Sequence, residues 1–191
     1  MSRYKILDQT GLNYLTLTLV GWIDVFTRQR YRDIVIESLR YCQEMKGLRI
    51  CGYVIMSNHI HLIVYTEGGN QLSDVLRDFK KFTAVHILKS IETETESRRE
   101  WLMYLFRFYA KNTSNTSNHQ FWQHDNHPIA LWSQKVIWQK LDYIHLNPVR
   151  AGIVARAQDY VYSSAGDYYE NRKGLLDIVL VEPMGPVKPI G

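Results

Sequence analysis

The stretch YVIMSNHIHLIVYT, residues 53 to 66, is rich in Val, Ile and Tyr and is broken by Ser57 and Asn58. β-Branched and aromatic residues favour strands, whereas serine and asparagine favour turns. The stretch therefore predicts two strands, at residues 48 to 57 and 60 to 66, paired as a hairpin or with a bulge. A Gly-Gly-Asn sequence directly afterwards ends the second strand.

One strand and one helix are predicted before this hairpin. In NYLTLTLVGWI, residues 13 to 23, leucines alternate with threonines at the period of a strand that has one buried face. Apolar residues then recur at near-helical spacing from Arg30 to Lys46, and Gly47 favours the end of that helix.

Further helices are predicted after the hairpin. Apolar residues recur every three or four positions from residue 71 to about residue 91, and a second helical segment spans Trp101 to Tyr109. A third helix is expected from Gln134 to about Asn147, because Ser133 can cap its start and Pro148 disfavours its continuation.

Strands interspersed with helices predict an α+β sandwich, in which an antiparallel sheet carries helices, and the ferredoxin-like arrangement is the leading candidate. We expect one domain at residues 1 to 175 and an extended tail at 176 to 191, which is rich in proline and glycine. KNTSNTSNHQ, residues 111 to 120, has the composition of a mobile loop. FWQHDNHPIALW, residues 121 to 132, has strand-like ends around a turn.

Length and composition restrict the class of protein. A chain of 191 residues is long enough for one well-packed domain, and 46% apolar with 22% charged residues is the profile of a globular chain. No signal peptide and no run of roughly 18 apolar residues, as a membrane span requires, is visible, so we expect a cytoplasmic protein that does not bind membranes. Cys42 and Cys51 are too few for a disulfide framework and are predicted to be reduced core residues.

The formal net charge of +4 is modest, but the basic residues are grouped. Such groups suit a polyanion such as nucleic acid, although ordinary solvated helix faces explain them equally well. The groups are Arg28, Arg30 and Arg32; Arg77, Lys80 and Lys81; Arg98 and Arg99; and Arg150 and Arg156.

His59 and His61 are predicted to project from the same face of the second hairpin strand, because side chains alternate along a strand with a period of two. Two adjacent imidazoles can bind one divalent cation together with oxygen ligands, water or a phosphate. The chain has seven histidines, however, so such a pair also arises by chance as two polar residues on an open sheet face.

A second candidate group lies on the predicted helix KVIWQKLDYIHLNPVRAG. Tyr143 and Asn147 are four residues apart on one flank, while Ile137, Leu141 and Ile144 form the stripe that would face the core. A helix laid on the sheet would present a phenol and an amide oxygen to the histidine face. The chain has 13 tyrosines, so Tyr143 can equally be a packing residue.

These two segments resemble one known family. MSNHIHLIV resembles the His-hydrophobic-His motif of the single-tyrosine HUH (IS200-like) transposases, and LDYIHLNPVRAGIV followed by DYVYSSAGDYY resembles the helix and trailing segment of their REP-associated branch. The resemblance spans roughly residues 12 to 170. It implies that Tyr143 is the nucleophile and that His59, His61 and Asn147 bind Mg²⁺ or Mn²⁺. Asparagine stands where the insertion-sequence relatives usually have glutamine, and it keeps the amide oxygen.

The activity implied by the resemblance is metal-dependent cleavage and rejoining of single-stranded DNA through a 5′-phosphotyrosine intermediate. The implied partners are single-stranded or hairpin DNA, and the chain would act as a monomer or a homodimer. Aromatic and basic residues that can contact DNA are Phe121 and Trp122, by stacking on bases, and Arg77, Lys80, Lys81 and Arg150, by holding the backbone. Each of the first five can also be a core or solvated surface residue.

Alternatives remain open for the function and for one turn. The chain can be a domesticated hairpin-DNA-binding protein that no longer cleaves, or a metal-dependent hydrolase of small phosphorylated molecules with Tyr143 structural. His124 and His127, with Asp125 between them, can form a second metal site, a hairpin-reading turn or a plain polar turn.

Overall fold

Four strands form a single antiparallel sheet in the order β2-β3-β1-β4 in a computed structural model that describes residue 6, residues 8–111 and residues 118–183. The strands are β1 (Asn13–Thr18), β2 (Leu48–Ile55), β3 (His59–Thr66) and β4 (Ile129–Ala130). The helices are α1 (Gln29–Lys46), α2 (Leu72–Thr93), α3 (Arg99–Lys111), α4 (Gln134–Arg150) and α5 (Ala165–Tyr169). Short 3₁₀ turns occupy Val20–Trp22 and Ala157–Asp159.

The strand order confirms the predicted α+β, ferredoxin-like class. β3 is inserted between β1 and β2 and is antiparallel to both, so β1, α1 and β2 form a split β-α-β unit. The predicted hairpin is present, and its strands are offset by a β-bulge between Ile50 and Gly52.

The sheet has one apolar face and one polar face. Because β1 pairs with β3 so that Thr16 lies opposite His61 and Thr18 opposite His59, these side chains share a face. The neighbouring positions, including Leu17 and Leu62, are fully buried on the other face, which α1 and α2 cover. The alternation of leucine and threonine in β1 thus separates the core from the surface that carries the histidines.

α4 lies on the histidine side of the sheet, and Gly52 of β2 permits its close approach. A Cβ at Gly52 would lie 2.6 Å from Leu141 Cδ2 and 3.1 Å from Ile144 Cδ1. Leu141 and Ile144 are fully buried, as their helical spacing predicted. The helix that carries Tyr143 is therefore docked on its own sheet.

The segment after α4 fixes the position of that helix. His145 is fully buried, and hydrogen bonds join its Nε2 to Ser164 Oγ (2.8 Å) and its Nδ1 to the Tyr169 hydroxyl (3.2 Å). Ser164 Oγ also accepts the Tyr53 amide of β2 at 3.0 Å. Burial lowers the pKa of His145 to about 3, so this imidazole is neutral and serves as a fixed link between α4, the trailing segment and the sheet.

Three predicted boundaries need correction. The first strand ends at Thr18, because a 3₁₀ turn with Gly21 at φ 60° follows it. α4 does not stop at Pro148 but continues to Arg150, since a proline near a helix end removes only one hydrogen bond, and Gly152 at φ 68° ends the turn. In the predicted loop 111–120, Lys111 belongs to α3 and residues 112–117 lie outside the described residues.

The predicted tail is docked at its start. Leu176 is buried, the Val179 amide donates to Ile50 O at 2.9 Å, and Trp138 Nε1 donates to Glu182 O at 2.9 Å. The folded unit therefore extends beyond residue 175, and residues 184–191 lie outside the described part. Throughout the described ranges, no helix combines the length and apolar character that crossing a membrane would require. Both cysteines are buried and unpaired, as predicted.

Glu96 joins the α2–α3 connection to the start of α1. Its buried carboxylate accepts hydrogen bonds from the Tyr31 hydroxyl (3.1 Å) and the Arg98 amide (3.0 Å). It also forms ion pairs with Arg28, Arg30 and Arg98. Burial alone would raise the pKa of Glu96, but the hydrogen bonds and charge of Arg98, with the Tyr31 hydroxyl, outweigh it and hold that pKa at about 2.

We predict that Glu96→Gln lowers the free energy of unfolding by about 3 kcal/mol at pH 7, because it leaves several cations around a neutral group. The folded-state pKa of Glu96 lies below the unfolded value of about 4.3, so this stabilisation is full above the unfolded value. It is lost as the pH falls toward 2. Urea unfolding of the parent and of Glu96→Gln, measured from neutral to acidic pH, should show the difference between their free energies of unfolding shrinking as the pH falls.

Glu94→Gln is the matched control for Glu96→Gln. Glu94 is an exposed neighbour that pairs with Arg30 at 3.4 Å, and such pairs contribute less than about 1 kcal/mol. Equal losses for the two variants, or a Glu96 effect independent of pH, would contradict the assignment of Glu96 as a buried anionic anchor.

Candidate active site at the meeting of β3 and α4

Three of the predicted site residues meet on the polar face of the sheet. The imidazole rings of His59 and His61 have centroids 4.7 Å apart, and the ring of Tyr143 lies 5.5 Å from that of His61. Tyr143 comes from α4 and the histidines come from β3 of the same chain. A site containing two imidazoles and a phenol is therefore assembled within one subunit.

His61 is buried, and its two ring nitrogens differ in their surroundings. Nδ1 lies 2.8 Å from the Tyr14 hydroxyl and 3.0 Å from Thr16 Oγ1, both from β1. Nε2 is buried with no hydrogen-bond partner. Because either hydroxyl oxygen can accept a hydrogen bond from Nδ1–H, the tautomer protonated at Nδ1 leaves a free lone pair on Nε2.

The ring of His59 is also oriented by a hydrogen bond at its Nδ1. Its Nδ1 lies 2.8 Å from Asn58 Oδ1, an atom that can only accept, so Nδ1 carries the proton and Nε2 keeps its lone pair. Asn58 is itself fixed, since its amide donates to Asp24 Oδ1 at 3.0 Å and to Trp22 O at 3.3 Å. Hydrogen-bonded partners of this kind orient metal-binding histidines in proteins.

Both imidazoles are kept neutral. Burial, with smaller contributions from the neighbouring His59 and Lys140, lowers the pKa of His61 to about 3. Burial also lowers the pKa of His59, against a smaller opposing effect of Asp24. A neutral imidazole is the form that binds a cation, because protonation removes the lone pair.

Asn147 lies one helical turn beyond Tyr143 on the same flank of α4. Its side-chain Nδ2 is buried without a hydrogen-bond partner. This NH₂ group can only donate hydrogen bonds, so an oxygen of a phosphate or of water would satisfy it, whereas a cation could bind only the amide oxygen Oδ1. Two imidazole nitrogens with free lone pairs fit a divalent cation that has open positions for oxygen ligands, and Oδ1 of Asn147 is the candidate oxygen ligand from α4.

Tyr143 is 42% exposed and lies between two cations of α4. Lys140 Nζ is 5.8 Å from the centroid of its ring, and Arg150 Cζ is 5.6 Å from it. Lys140 Nζ also lies 4.5 Å from the centroid of the Tyr14 ring. Among the residues described, neither Lys140 nor Arg150 has a carboxylate partner, so both charges are available to an anion at the phenol.

Sequence reasoning missed Lys140 and the residues that orient the histidines. Lys140 precedes Tyr143 by three residues, so helical spacing was a signal that could have identified it. Tyr14 and Thr16 could not be assigned in this way, because their contact with His61 depends on the register between β1 and β3.

Phe121 and Trp122 do not stack on bases, contrary to the prediction, because both are buried in the core. Trp122 Nε1 donates to Thr83 Oγ1 at 3.1 Å, and the ring of Phe121 lies 5.2 Å from that of Phe106. The physical reason is that Trp122 pairs with Leu19 in an isolated bridge that extends the sheet beyond β1 and turns both rings inward.

Of the predicted basic contacts, only Arg150 lies at the site. The other three belong to α2, in the layer that covers the apolar face of the sheet. Arg77 pairs with Asp74 and Asp78, and Lys81 lines a groove between α1 and α2. Lys80 donates to Gln123 O (2.6 Å) and Asn126 Oδ1 (2.9 Å), and burial lowers its pKa to about 8. Lys80 therefore anchors a loop.

The turn at residues 123–127 is best described as a polar turn. Asn126 O accepts the Thr16 amide at 2.9 Å, and Gln123 donates its amide to Thr18 O at 2.8 Å. No group of three or more His, Cys, Asp or Glu side chains within the described ranges is arranged to hold a metal ion, so the second metal site at His124, Asp125 and His127 gains no support.

Comparisons with known proteins identify a shared fold and a sequence family. A solved REP-associated tyrosine transposase bound to a REP hairpin has the same fold, with a TM-score of 0.60 and 18% identity over 100% of both chains. A transposase candidate from Deinococcus radiodurans R1 gives a TM-score of 0.42 and 14% identity over 75% of this chain and 95% of that chain. No curated protein matches. The family profile "Transposase IS200 like" matches residues 23–124, which is more than half of the chain. This chain belongs to the IS200-like transposase family.

Proposed function

We propose that this protein cleaves and rejoins single-stranded DNA, with Tyr143 as the nucleophile and His59, His61 and Asn147 as ligands of Mg²⁺ or Mn²⁺. The observation that carries the proposal is the approach of the Tyr143 ring to 5.5 Å from His61, beside a second imidazole, within one chain. Membership of the IS200-like family supports the reaction class. The shared fold with a transposase bound to a REP hairpin supports single-stranded or hairpin DNA as the partner.

The residues around the histidines would prepare the metal site in advance. Asn58 fixes the ring of His59, while Tyr14 and Thr16 fix that of His61, so both Nε2 atoms are directed away from these partners. A bound Mg²⁺ or Mn²⁺ supplies charge neutralisation and orientation of the scissile phosphate. The fixed rings would lower the reorganisation needed when the phosphate enters.

The reaction exchanges one phosphodiester for another. Tyr143 Oη forms a bond to phosphorus, the bond from phosphorus to the 3′ oxygen breaks, and the 5′-phosphate remains on the tyrosine. The phenolic proton is lost to an acceptor, and the leaving 3′ oxygen takes up a proton. Because the two esters are similar in energy, a second 3′-hydroxyl can reverse the step without ATP.

Lys140 and Arg150 would position the phosphate at the phenol. Both cations flank the Tyr143 ring and have no competing carboxylate among the described residues. They would attract the scissile phosphate and stabilise the negative charge that develops on the phenol as it loses its proton. Since α4 and β3 of one chain bring Tyr143 to His61, a monomer would be able to carry out the first cleavage.

We predict that Lys140→Met slows formation of the covalent adduct by about tenfold to a hundredfold, the range expected from losing one positioned charge near the reacting phosphate. Lys140→Arg restores part of the rate because it keeps the charge. Lys135→Met, an exposed lysine in the first turn of the same helix, is the matched control and retains the parent rate. A Lys140→Met protein with unchanged adduct kinetics would exclude this role.

The proposed function is tested by trapping the covalent intermediate. The protein is incubated with Mn²⁺ and a labelled pool of hairpin oligonucleotides whose single-stranded flanks are randomised. Denaturing electrophoresis then separates DNA that has become attached to the protein. A band that depends on Mn²⁺ supports the proposal. DNA binding without an adduct would instead identify a non-cleaving hairpin-binding protein, and multiple turnover without an adduct would identify a hydrolase.

A further inference from the structure

Trp22 is a strained and exposed aromatic residue beside the candidate active site. Its side chain is 58% exposed, and its backbone adopts φ 55°, a left-handed conformation that bulky residues rarely adopt. Gly21 before it is also left-handed, at φ 60°. The fold therefore maintains an unfavourable backbone conformation at a residue whose indole is not buried in the core, which indicates a role outside packing.

The surrounding structure fixes this conformation in two places. A Cβ at Gly21 would lie 2.5 Å from the ring of Tyr109 in α3, so α3 closes tightly over the turn. The carbonyl of Trp22 accepts a hydrogen bond from Asn58 at 3.3 Å, and the same Asn58 side chain binds His59. The position of Trp22 is thus coupled to that of a candidate metal ligand.

The indole of Trp22 lies next to His59. The two ring centroids are 6.0 Å apart, with an interplanar angle of 71°, so the contact is edge to face and leaves much of the indole open to solvent. Base–aromatic stacking needs a ring face that a base can reach from solvent. Trp22 meets that requirement, whereas Phe121 and Trp122, the aromatic residues predicted for this role, are buried.

We propose that the indole of Trp22 stacks on a base of the single-stranded DNA next to the phosphate held at His59 and His61. This inference rests on the proposed function, because it places the DNA strand at that site. Stacking tolerates all bases, since each has a π face, so Trp22 adds affinity for unpaired nucleotides whatever their sequence.

The experiment compares binding of two strands in a Tyr143→Phe background, which prevents covalent trapping. One strand is a mixed-sequence oligonucleotide of about 20 nucleotides, which is longer than the stretch that a single-strand-binding surface of one domain usually covers. The other is an abasic strand of equal length. Fluorescence anisotropy gives Kd for the parent, Trp22→Gly and Trp22→Phe. Trp132→Ala, which removes a 79% exposed tryptophan before α4, is the control.

We expect Trp22→Gly to bind the base-bearing strand about tenfold more weakly, while Trp22→Phe stays within about twofold of the parent. The abasic strand should bind equally to all variants, because it offers no base to stack. Trp22→Gly should not lower the melting temperature, since glycine adopts positive φ without strain. Trp22→Asn, which also tolerates this conformation, repeats the test with a second side chain.

Equal weakening on both strands would overturn the stacking role and assign Trp22 to the shape of the turn. Unchanged affinity of Trp22→Gly for the base-bearing strand would also overturn it. The Tyr143-dependent adduct is measured separately, so loss of the adduct with a persistent Trp22 effect would reject cleavage but retain stacking. Absence of any single-strand binding by the parent would reject both.

Discussion

Tyr143→Phe abolishes the covalent protein–DNA adduct, with an expected loss of at least about a thousandfold, because only the phenolic oxygen can form the phosphotyrosyl bond. The substitution keeps the ring, so the contact with His61 and the cations Lys140 and Arg150 remain in place. The side chain is 42% exposed and its hydroxyl makes no hydrogen bond with another residue of the described ranges, so stability should be unchanged.

Electrophoresis under denaturing conditions measures the adduct, and anisotropy measures DNA binding by the same proteins. Tyr104→Phe is the matched control, because Tyr104 is an exposed tyrosine on α3. It should form the adduct at the parent rate. An adduct that persists in Tyr143→Phe would show that another residue is the nucleophile, and DNA cleavage that persists without an adduct would show that water is.

If His61 binds Mn²⁺ as proposed, we expect His61→Ala to remove the stabilisation that the ion should give to the fold. A cation present at about 100 times its Kd adds about 2.7 kcal/mol to the free energy of unfolding, which corresponds to about 5 to 10 °C in Tm for a chain of this size. The parent should show this rise and lose it when EDTA is added. His61→Ala should show no rise, because the unpartnered Nε2 is absent. It should also form no adduct.

The metal effect must be separated from damage to the fold. His61→Ala leaves the Tyr14 and Thr16 hydroxyls without their partner and is expected to cost about 1 to 3 kcal/mol without metal. Each Mn²⁺ shift is therefore measured against the same variant in EDTA. His86→Ala, on the exposed surface of α2, should keep the full shift. A full shift in His61→Ala would place the metal elsewhere.

Asn147→Ala tests the third proposed ligand in the same assay. Loss of one of three protein ligands should weaken Mn²⁺ binding by about tenfold or more, so the rise in Tm should shrink at a fixed Mn²⁺ concentration. Retention of the full shift would mean that the two imidazoles bind the ion without the amide.

Local spacing was enough to predict much of the site. The period of two in β3 placed His59 and His61 on one face, and the helical period placed Tyr143 and Asn147 on one flank of α4. The same local logic predicted the burial of Leu141 and Ile144, which the structure confirms. Lys140 was accessible to the same reasoning but was not recognised.

Aromatic and basic residue types were misleading where their layer in the fold was unknown. Phe121 and Trp122 suggested a base-stacking surface, yet a bridge to Leu19 turns them into the core. Lys80 suggested a phosphate contact, yet it anchors the loop at Gln123 and Asn126. The residue type determines which contacts a side chain can make, but its burial in the fold decides whether a ligand can reach it.

By itself the sequence determined the elements, the fold class and which side chains share a face, because these depend on periodicities within a few residues. Only the tertiary structure decided that α4 lies across the histidine face, where Gly52 gives it room, and that Tyr14 and Thr16 orient His61. It also decided that Trp22, and not Phe121 or Trp122, is the exposed aromatic residue beside the site. These contacts join residues far apart in the chain, so they depend on strand register and helix docking, which no local pattern encodes.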